Sequence, residues 1–118
     1  MFSPDPVGVV TDNAGGVVLT FTGDIVLVTA PAADVLAGQA HDRAATSTRK
    51  LLVIDLREVT FLASVGTTVL MIHRRRAGRT GVKITVVANT PRVTRVLDLS
   101  GLTSHFRVHA DLETALAP

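Results

Sequence analysis

Two kinds of periodicity divide the chain. Short, mostly apolar runs rich in β-branched residues recur at residues 7–11, 17–21, 51–54 and 82–88, and runs of that length and composition predict strands; residues 106–109 read as a short terminal strand. Asp12-Asn13-Ala14-Gly15-Gly16 joins the first two with residues that tolerate positive φ, so the pair is expected to form a hairpin. Thr22-Gly23-Asp24 reads as a break after the second run. Leu51-Leu52-Val53-Ile54 is apolar without interruption, as in a strand covered on both faces of a parallel sheet, and Asp55 is expected to end it.

Helical spacing fills the intervals. After the apolar residues 25–28, Thr29-Ala30-Pro31 marks a helix start, because proline's missing N–H costs nothing in a first turn. That helix is predicted over residues 32–40 with Val35 and Leu36 turned inward, and a polar stretch follows to Lys50. A second helix is predicted over 64–77, where Val65, Val69 and Ile72 recur at i, i+4 and i+7, with Gly78 or Gly81 as its exit. A third begins at Thr90-Pro91 with the threonine as cap, turns Val93, Val96 and Leu97 inward and stops at Gly101. Asp111 is expected to cap a last helix through Leu112, Ala115 and Leu116. The order ββαβαβαβα calls for right-handed crossovers and helices laid on a mostly parallel central sheet.

Composition narrows the function classes. The 118 residues amount to one domain, with its core expected over about residues 7–117. Without cysteine there is no disulfide framework, thiolate zinc site or cysteine nucleophile. Tyr and Trp are absent and the four aromatic residues are all Phe, which argues against the stacking platforms that bind single-stranded nucleic acid. Twelve Lys and Arg against ten Asp and Glu leave a net charge of +2. The pI near 9.9 reflects ten Arg to two Lys rather than a strong positive field. No apolar run approaches the roughly 18 residues of a membrane span. Residues 1–6 carry neither the basic region nor the apolar stretch of a signal peptide. A cytoplasmic protein that engages neither membrane nor nucleic acid is expected.

Three further features have ordinary explanations. Arg74-Arg75-Arg76 spreads over about 200° of a helix and cannot form one stripe, and positive charge in the last turns complements the helix dipole. His105 and His109 read as strand residues about 13 Å apart, too far to share a metal. His41 and His73 stand alone, so no metal is assigned.

The most informative stretch is Phe61-Leu62-Ala63-Ser64-Val65-Gly66, in which a hydroxyl sits where a helix begins. Serine is among the best N-caps, worth about 1 kcal/mol over alanine, and that alone would explain it. The same position presents free N–H groups and the positive end of the helix dipole, which suit a phosphate. Phosphorylation there would add about −1.5 to −2 charges to an otherwise uncharged rim, enough nearly to cancel the net charge of the domain.

Four stretches in register resemble one family: Phe21-Thr22-Gly23-Asp24-Ile25; Leu52-Val53-Ile54-Asp55-Leu56; Val59-Thr60-Phe61-Leu62-Ala63-Ser64-Val65-Gly66; and Thr90-Pro91-Arg92-Val93 through Gly101-Leu102. Together they make the chain similar to STAS domains of the anti-sigma factor antagonist (SpoIIAA-like) type over nearly its whole length. The resemblance implies an α/β STAS fold: a mostly parallel sheet, an N-terminal hairpin strand and about four packed helices. It implies an anti-sigma factor antagonist, not an enzyme and without a cofactor. Its unphosphorylated form would bind an anti-sigma factor that is itself a GHKL-type serine kinase and so free the sigma factor. A PP2C-type phosphatase would reverse the phosphorylation, and the oligomeric state would be monomer or weak dimer. The phosphorylated position falls on Ser64, and the partner surface on Asp24, Ser64, Val65, Gly66 and Thr67, with Gly66 letting the partner approach closely and Thr67 adding a second hydroxyl. Ala63 stands where the family commonly has Asp, and Val26 where it has a second acid; both remove negative charge from the rim.

Two alternatives stand beside it. A STAS module can dock or bind a small ligand within a transporter or stress complex without kinase control. Residues 62–66 also partly mimic the G-x-S-x-G elbow of a serine esterase, with Asp98 and His105 following in hydrolase order, although Leu62 replaces the first glycine.

Overall fold

The computed structural model describes residues 7–118; the segment 1–6, considered above as a signal peptide, lies outside the described residues. The chain runs β1 (Gly8–Asn13), β2 (Gly16–Ile25), α1 (Ala30–Ala45), β3 (Leu51–Leu62), α2 (Ser64–Thr80), β4 (Lys83–Val87), α3 (Pro91–Leu99), a 3₁₀ turn (Leu102–Ser104), β5 (Arg107–His109) and α4 (Leu112–Leu116). The element order is the one expected from the sequence. The five strands lie side by side in chain order, β1 antiparallel to β2 and every later pair parallel.

The hairpin follows from its turn. Asn13 pairs with Gly16, and the two residues between them, Ala14 and Gly15, have φ of 51° and 82°. Two consecutive positive φ values give the turn whose twist matches that of the strands. Each of the three β-α-β crossovers then places its helix on the same face of the sheet, as a uniform right-handed sense requires. Leu52, Ile54, Leu56 and Val86 pack with α1, α2 and α3 on that face, while Val18, Leu51, Val53 and Val87 meet α4 on the other.

Both central strands run further than expected. β2 continues through Thr22-Gly23-Asp24, where the register to β3 shifts twice and Gly23 takes a φ of 78°. The predicted break is thus a bulge inside a strand. β3 passes Asp55 and reaches Leu62. Asp55 is buried, and its carboxylate accepts from the Arg57 backbone N–H and Nε at 3.0 Å and from Nη2 at 2.8 Å. A buried carboxylate is tolerated when its charge and lone pairs are met.

The inward faces of two helices also differ. In α1 the buried residues are Ala30, Ala33, Ala37, Ala40, His41 and Ala44, while Val35 is 59% exposed and Leu36 is half-buried. Small side chains let this helix lie close to the sheet and to α2, so the stripe is built from alanine. In α2 the buried face is Gly66, Thr67, Val69, Leu70, His73 and Ala77, and Ile72 points outward. Its exit is Gly81, in the left-handed conformation at φ 76°; Gly78 lies within the helix. Thr90 begins α3 without a side-chain capping bond, its buried hydroxyl lacking a partner among the described residues, whereas Asp111 does cap α4, accepting from the Thr114 N–H at 2.7 Å. That bond holds the Asp111 carboxyl below its usual pKa. His105 lies at the end of the 3₁₀ turn, outside β5.

Candidate functional site

The site is built where β2 and β3 end together. Asp24 pairs with Phe61 and Ile25 with Leu62, and the Ala63 N–H donates to the Ile25 carbonyl at 2.9 Å. This bond carries the register one residue past the strand and fixes where α2 begins. Ser64 is the first helical residue and is exposed. The cap position belongs to Ala63, in ordinary extended geometry (φ −83°, ψ 168°), so the expectation that Ser64 is an N-cap is not met. Among the described residues the Ser64 hydroxyl has no hydrogen-bond partner. The first N–H groups of the helix, which have no intrahelical acceptor, lie beside it.

The neighbouring hydroxyls are occupied. Thr67 is buried, and its Oγ1 donates to the Ser64 carbonyl at 2.7 Å; Thr68 Oγ1 does the same at 3.2 Å. Thr67 therefore presents no second hydroxyl at the surface. Gly66 is also interior. A Cβ there would stand 2.5 Å from Leu62 Cδ1 and 3.0 Å from Ile25 Cγ2, so the missing side chain lets α2 rest on the ends of β2 and β3 rather than admitting a partner. Val65 is half-buried against the core. Of the five positions expected at the surface, Asp24 and Ser64 are exposed, Val65 is partly so, and Gly66 and Thr67 are buried.

The structure adds residues that the sequence reading missed. Leu27 and Val28, in the turn between β2 and α1, are 78% and 87% exposed, and Phe61 is 45% exposed beside Asp24. Thr29 holds that turn: its hydroxyl donates to the Asp24 carbonyl at 2.8 Å and accepts from the Val26 N–H at 2.9 Å. Asp24 Oδ1 accepts from Thr60 Oγ1 at 2.5 Å. Two bulky apolar residues between a strand end and the Pro31 helix start were the available signal, because neither has a core to enter there. The result is a mostly apolar projection next to a free hydroxyl, with Asp24 as the nearby acid.

The other candidates assemble no chemistry. Ser64 has no histidine partner, Asp98 is exposed on α3, and the His105 carbonyl accepts from Arg74 Nε at 2.6 Å. Ser64 is an ordinary first-turn helical residue without positive φ, so it shows none of the strain of a nucleophile elbow. His41 and His73 are buried between α1 and α2, where Nε2 of His41 meets Thr80 Oγ1 and Nε2 of His73 meets Asp34 Oδ1, each at 2.7 Å. Burial first, then the charges of Arg76 and His73, hold the His41 pKa below its ordinary value. Among the described residues no group of three His, Asp or Glu is placed to hold a metal, and no helix is long and apolar enough to cross a membrane. Arg76 pairs with Asp42, which accounts for part of the arginine run as a link between α1 and α2.

Comparison with known proteins places this geometry. The chain is 38% identical over 117 residues to the anti-sigma-F factor antagonist RsfB of Mycobacterium tuberculosis, an alignment covering 98% of this chain and 92% of the relative. A crystal structure of an anti-sigma factor antagonist from Mycobacterium paratuberculosis superposes with a TM-score of 0.82 at 34% identity, covering 92% of this chain and 89% of that one. The anti-sigma factor antagonist SpoIIAA in its unphosphorylated form has the same fold, with a TM-score of 0.70 at 13% identity over 91% of both chains. The family model for the STAS domain matches residues 6–115, and the chain belongs to that family.

Proposed function

We propose that this protein is an anti-sigma factor antagonist. In its unphosphorylated form it binds an anti-sigma factor of the GHKL serine-kinase type through the rim formed by Asp24, Leu27, Val28, Phe61 and Ser64. Binding withdraws the anti-sigma factor and frees a sigma factor. Phosphorylation of Ser64 ends the complex, and a PP2C-type phosphatase restores it. The protein itself carries out no catalysis and uses no cofactor.

The observation that carries this proposal is an exposed, unbonded Ser64 hydroxyl at the start of α2, next to a projection of Leu27, Val28 and Phe61 that the core does not use. Similarity to proteins named as anti-sigma factor antagonists supports it. The energetics have the right sign. Apolar side chains at an interface gain about 25 cal/mol for each Å² removed from water. A phosphate at Ser64 would bring about −1.5 to −2 charges into that surface, where removing an ion from water costs several kcal/mol unless the partner supplies a counter-charge. Asp24 adds like charge nearby. A shift of about 5.5 kcal/mol takes a population from 99:1 to 1:99, which is within reach of such a desolvation.

The test pairs the chain with a GHKL-type anti-sigma kinase from the same genome. With ATP, mass spectrometry should place one phosphate on Ser64, and Ser64→Ala should take up none. Ser64→Glu should weaken complex formation at least tenfold, whereas Leu27→Ser/Val28→Ser should weaken it without preventing folding. Equal labelling of wild type and Ser64→Ala, or equal capture of Ser64→Glu, would overturn the proposal.

A further inference from the structure

A second site lies on the opposite face of the sheet and at the other end of β3. There, β4, β5 and α4 enclose a cleft of about 320 Å³ whose lining includes Lys83, Thr85, Arg107 and His109. Lys83, Thr85 and Val87 alternate with Ile84 and Val86, so they face α4 rather than α1 to α3. Thr85 pairs directly with Arg107, and Val87 with His109. Lys83, Thr85 and Arg107 are therefore immediate neighbours on one pleated surface, spaced by about 4.8 Å across the strands and about 6.6 Å along them.

Three observations set this cleft apart. Among the described residues no acidic side chain lines it. Among the described residues, neither the Lys83 ammonium nor the Arg107 guanidinium has an ion-pair or hydrogen-bond partner, and both residues are exposed. Thr85 is 3% exposed, yet its hydroxyl has no hydrogen-bond partner among the described residues. Buried polar groups are almost always paired, and an orphan of this kind calls for an explanation. Thr85 is one of the residues that line the cleft, so the unpaired polar atom belongs to its wall. The third cation of the cleft, Arg49, is already committed: its guanidinium donates to the Leu116 carbonyl at 2.6 Å and to the Ala117 carbonyl at 3.3 Å, and so holds the end of α4 in place as one wall.

We infer that this cleft binds a tetrahedral oxyanion of the phosphate type, free or as the phosphate of a small ester. Lys83 and Arg107 supply the charge, and the Thr85 hydroxyl donates to one oxygen. Charge-assisted hydrogen bonds from ammonium and guanidinium groups are the strong class for such ligands, and the volume accommodates a phosphate with a small substituent. The site is independent of the switch proposed at Ser64: Leu51, at the start of β3, lines the cleft, whereas Ser64 follows the far end of that strand.

The experiment is an amide chemical-shift titration of the ¹⁵N-labelled chain with inorganic phosphate, with glycerol 3-phosphate, and with chloride at matched ionic strength. Saturable shifts centred on Lys83, Thr85, Arg107 and His109 are expected with at least one phosphate species and not with chloride. Saturation by inorganic phosphate identifies a free-anion site, and saturation by the ester alone identifies an ester site. Lys83→Ala/Arg107→Ala, both at exposed positions, should weaken binding by more than about tenfold. Thr85→Val should weaken it by roughly threefold to tenfold. That variant should melt no lower than wild type, because it removes an unpaired buried hydroxyl. Unsaturable shifts, the same response to chloride, or affinities unmoved by Lys83→Ala/Arg107→Ala would overturn the inference.

Discussion

Replacing Gly66 with alanine separates an internal role for this residue from a role in partner access. The new Cβ would stand 2.5 Å from Leu62 Cδ1 and 3.0 Å from Ile25 Cγ2, well inside the about 3.5–4.0 Å at which carbon atoms attract. Leu62 and Ile25 are 2% and 3% exposed, so neither side chain can move aside into solvent. Ile25 is also β-branched and stiff at χ1. Overpacking of this kind costs about 1–3 kcal/mol. Alanine's better helix propensity returns at most about 1 kcal/mol, and less in a first turn. The net expectation is a loss of about 1–2 kcal/mol. With a urea m-value of about 1–3 kcal/mol/M for a small domain, the unfolding midpoint should fall by roughly 0.3–2 M at unchanged slope. A midpoint equal to or above that of wild type would refute the packing argument. Were Gly66 instead there to let a partner onto the first turn, the midpoint would hold and only binding would fall.

Ser64→Ala should change the urea midpoint by no more than about 0.5 kcal/mol equivalent, because the Ser64 side chain makes no capping bond; a loss near 1 kcal/mol would show that the serine caps α2 after all. Thr29→Val removes the side-chain hydrogen bonds to the Asp24 carbonyl and from the Val26 N–H that brace the turn carrying Leu27 and Val28. It should cost about 1–2 kcal/mol by thermal melting, and amide exchange should speed up first at Val26. His41 titrates below its ordinary value of 6.5 in the folded chain, so below that pH the unfolded chain binds more protons. Stability is then complete above about pH 6.5 and declines as pH falls through the folded value. Urea midpoints measured across that range should drop more for wild type than for His41→Gln, and parallel curves would exclude His41 as the cause.

Local chemistry explains what was legible. Two residues at positive φ close a hairpin wherever they occur, Gly81 ends a helix by its own conformational freedom, and the Asp111 carboxylate reaches an N–H three residues on. Each needs only neighbours in the chain. Of the site, Asp24 and Ser64 lie at the surface as expected; the helix start that carries Ser64 is a local signal, whereas the strand end that carries Asp24 was not legible as one. Gly66 and Thr67 were misplaced because burial in a first helical turn depends on what the helix leans against, here Leu62 and Ile25 from two different strands.

The amino-acid sequence by itself determined the order of strands and helices, the hairpin, several of the helix ends and the position of the candidate switch serine. Tertiary structure decided which faces are inside and how long the strands are. Val35 looked like core and is not, because α1 approaches its neighbours closely enough that only an alanine stripe fits. Asp55 looked like a strand end and lies within β3, because the strand itself brings the Arg57 fork onto its carboxylate. Leu27, Val28 and Phe61 were not assigned to a surface from the sequence and became the largest apolar feature of the proposed surface, because residues that find no core must be covered by something else. Hydrophobic burial has no direction of its own. Periodicity can say that a residue is apolar, but only packing among distant segments decides what it faces.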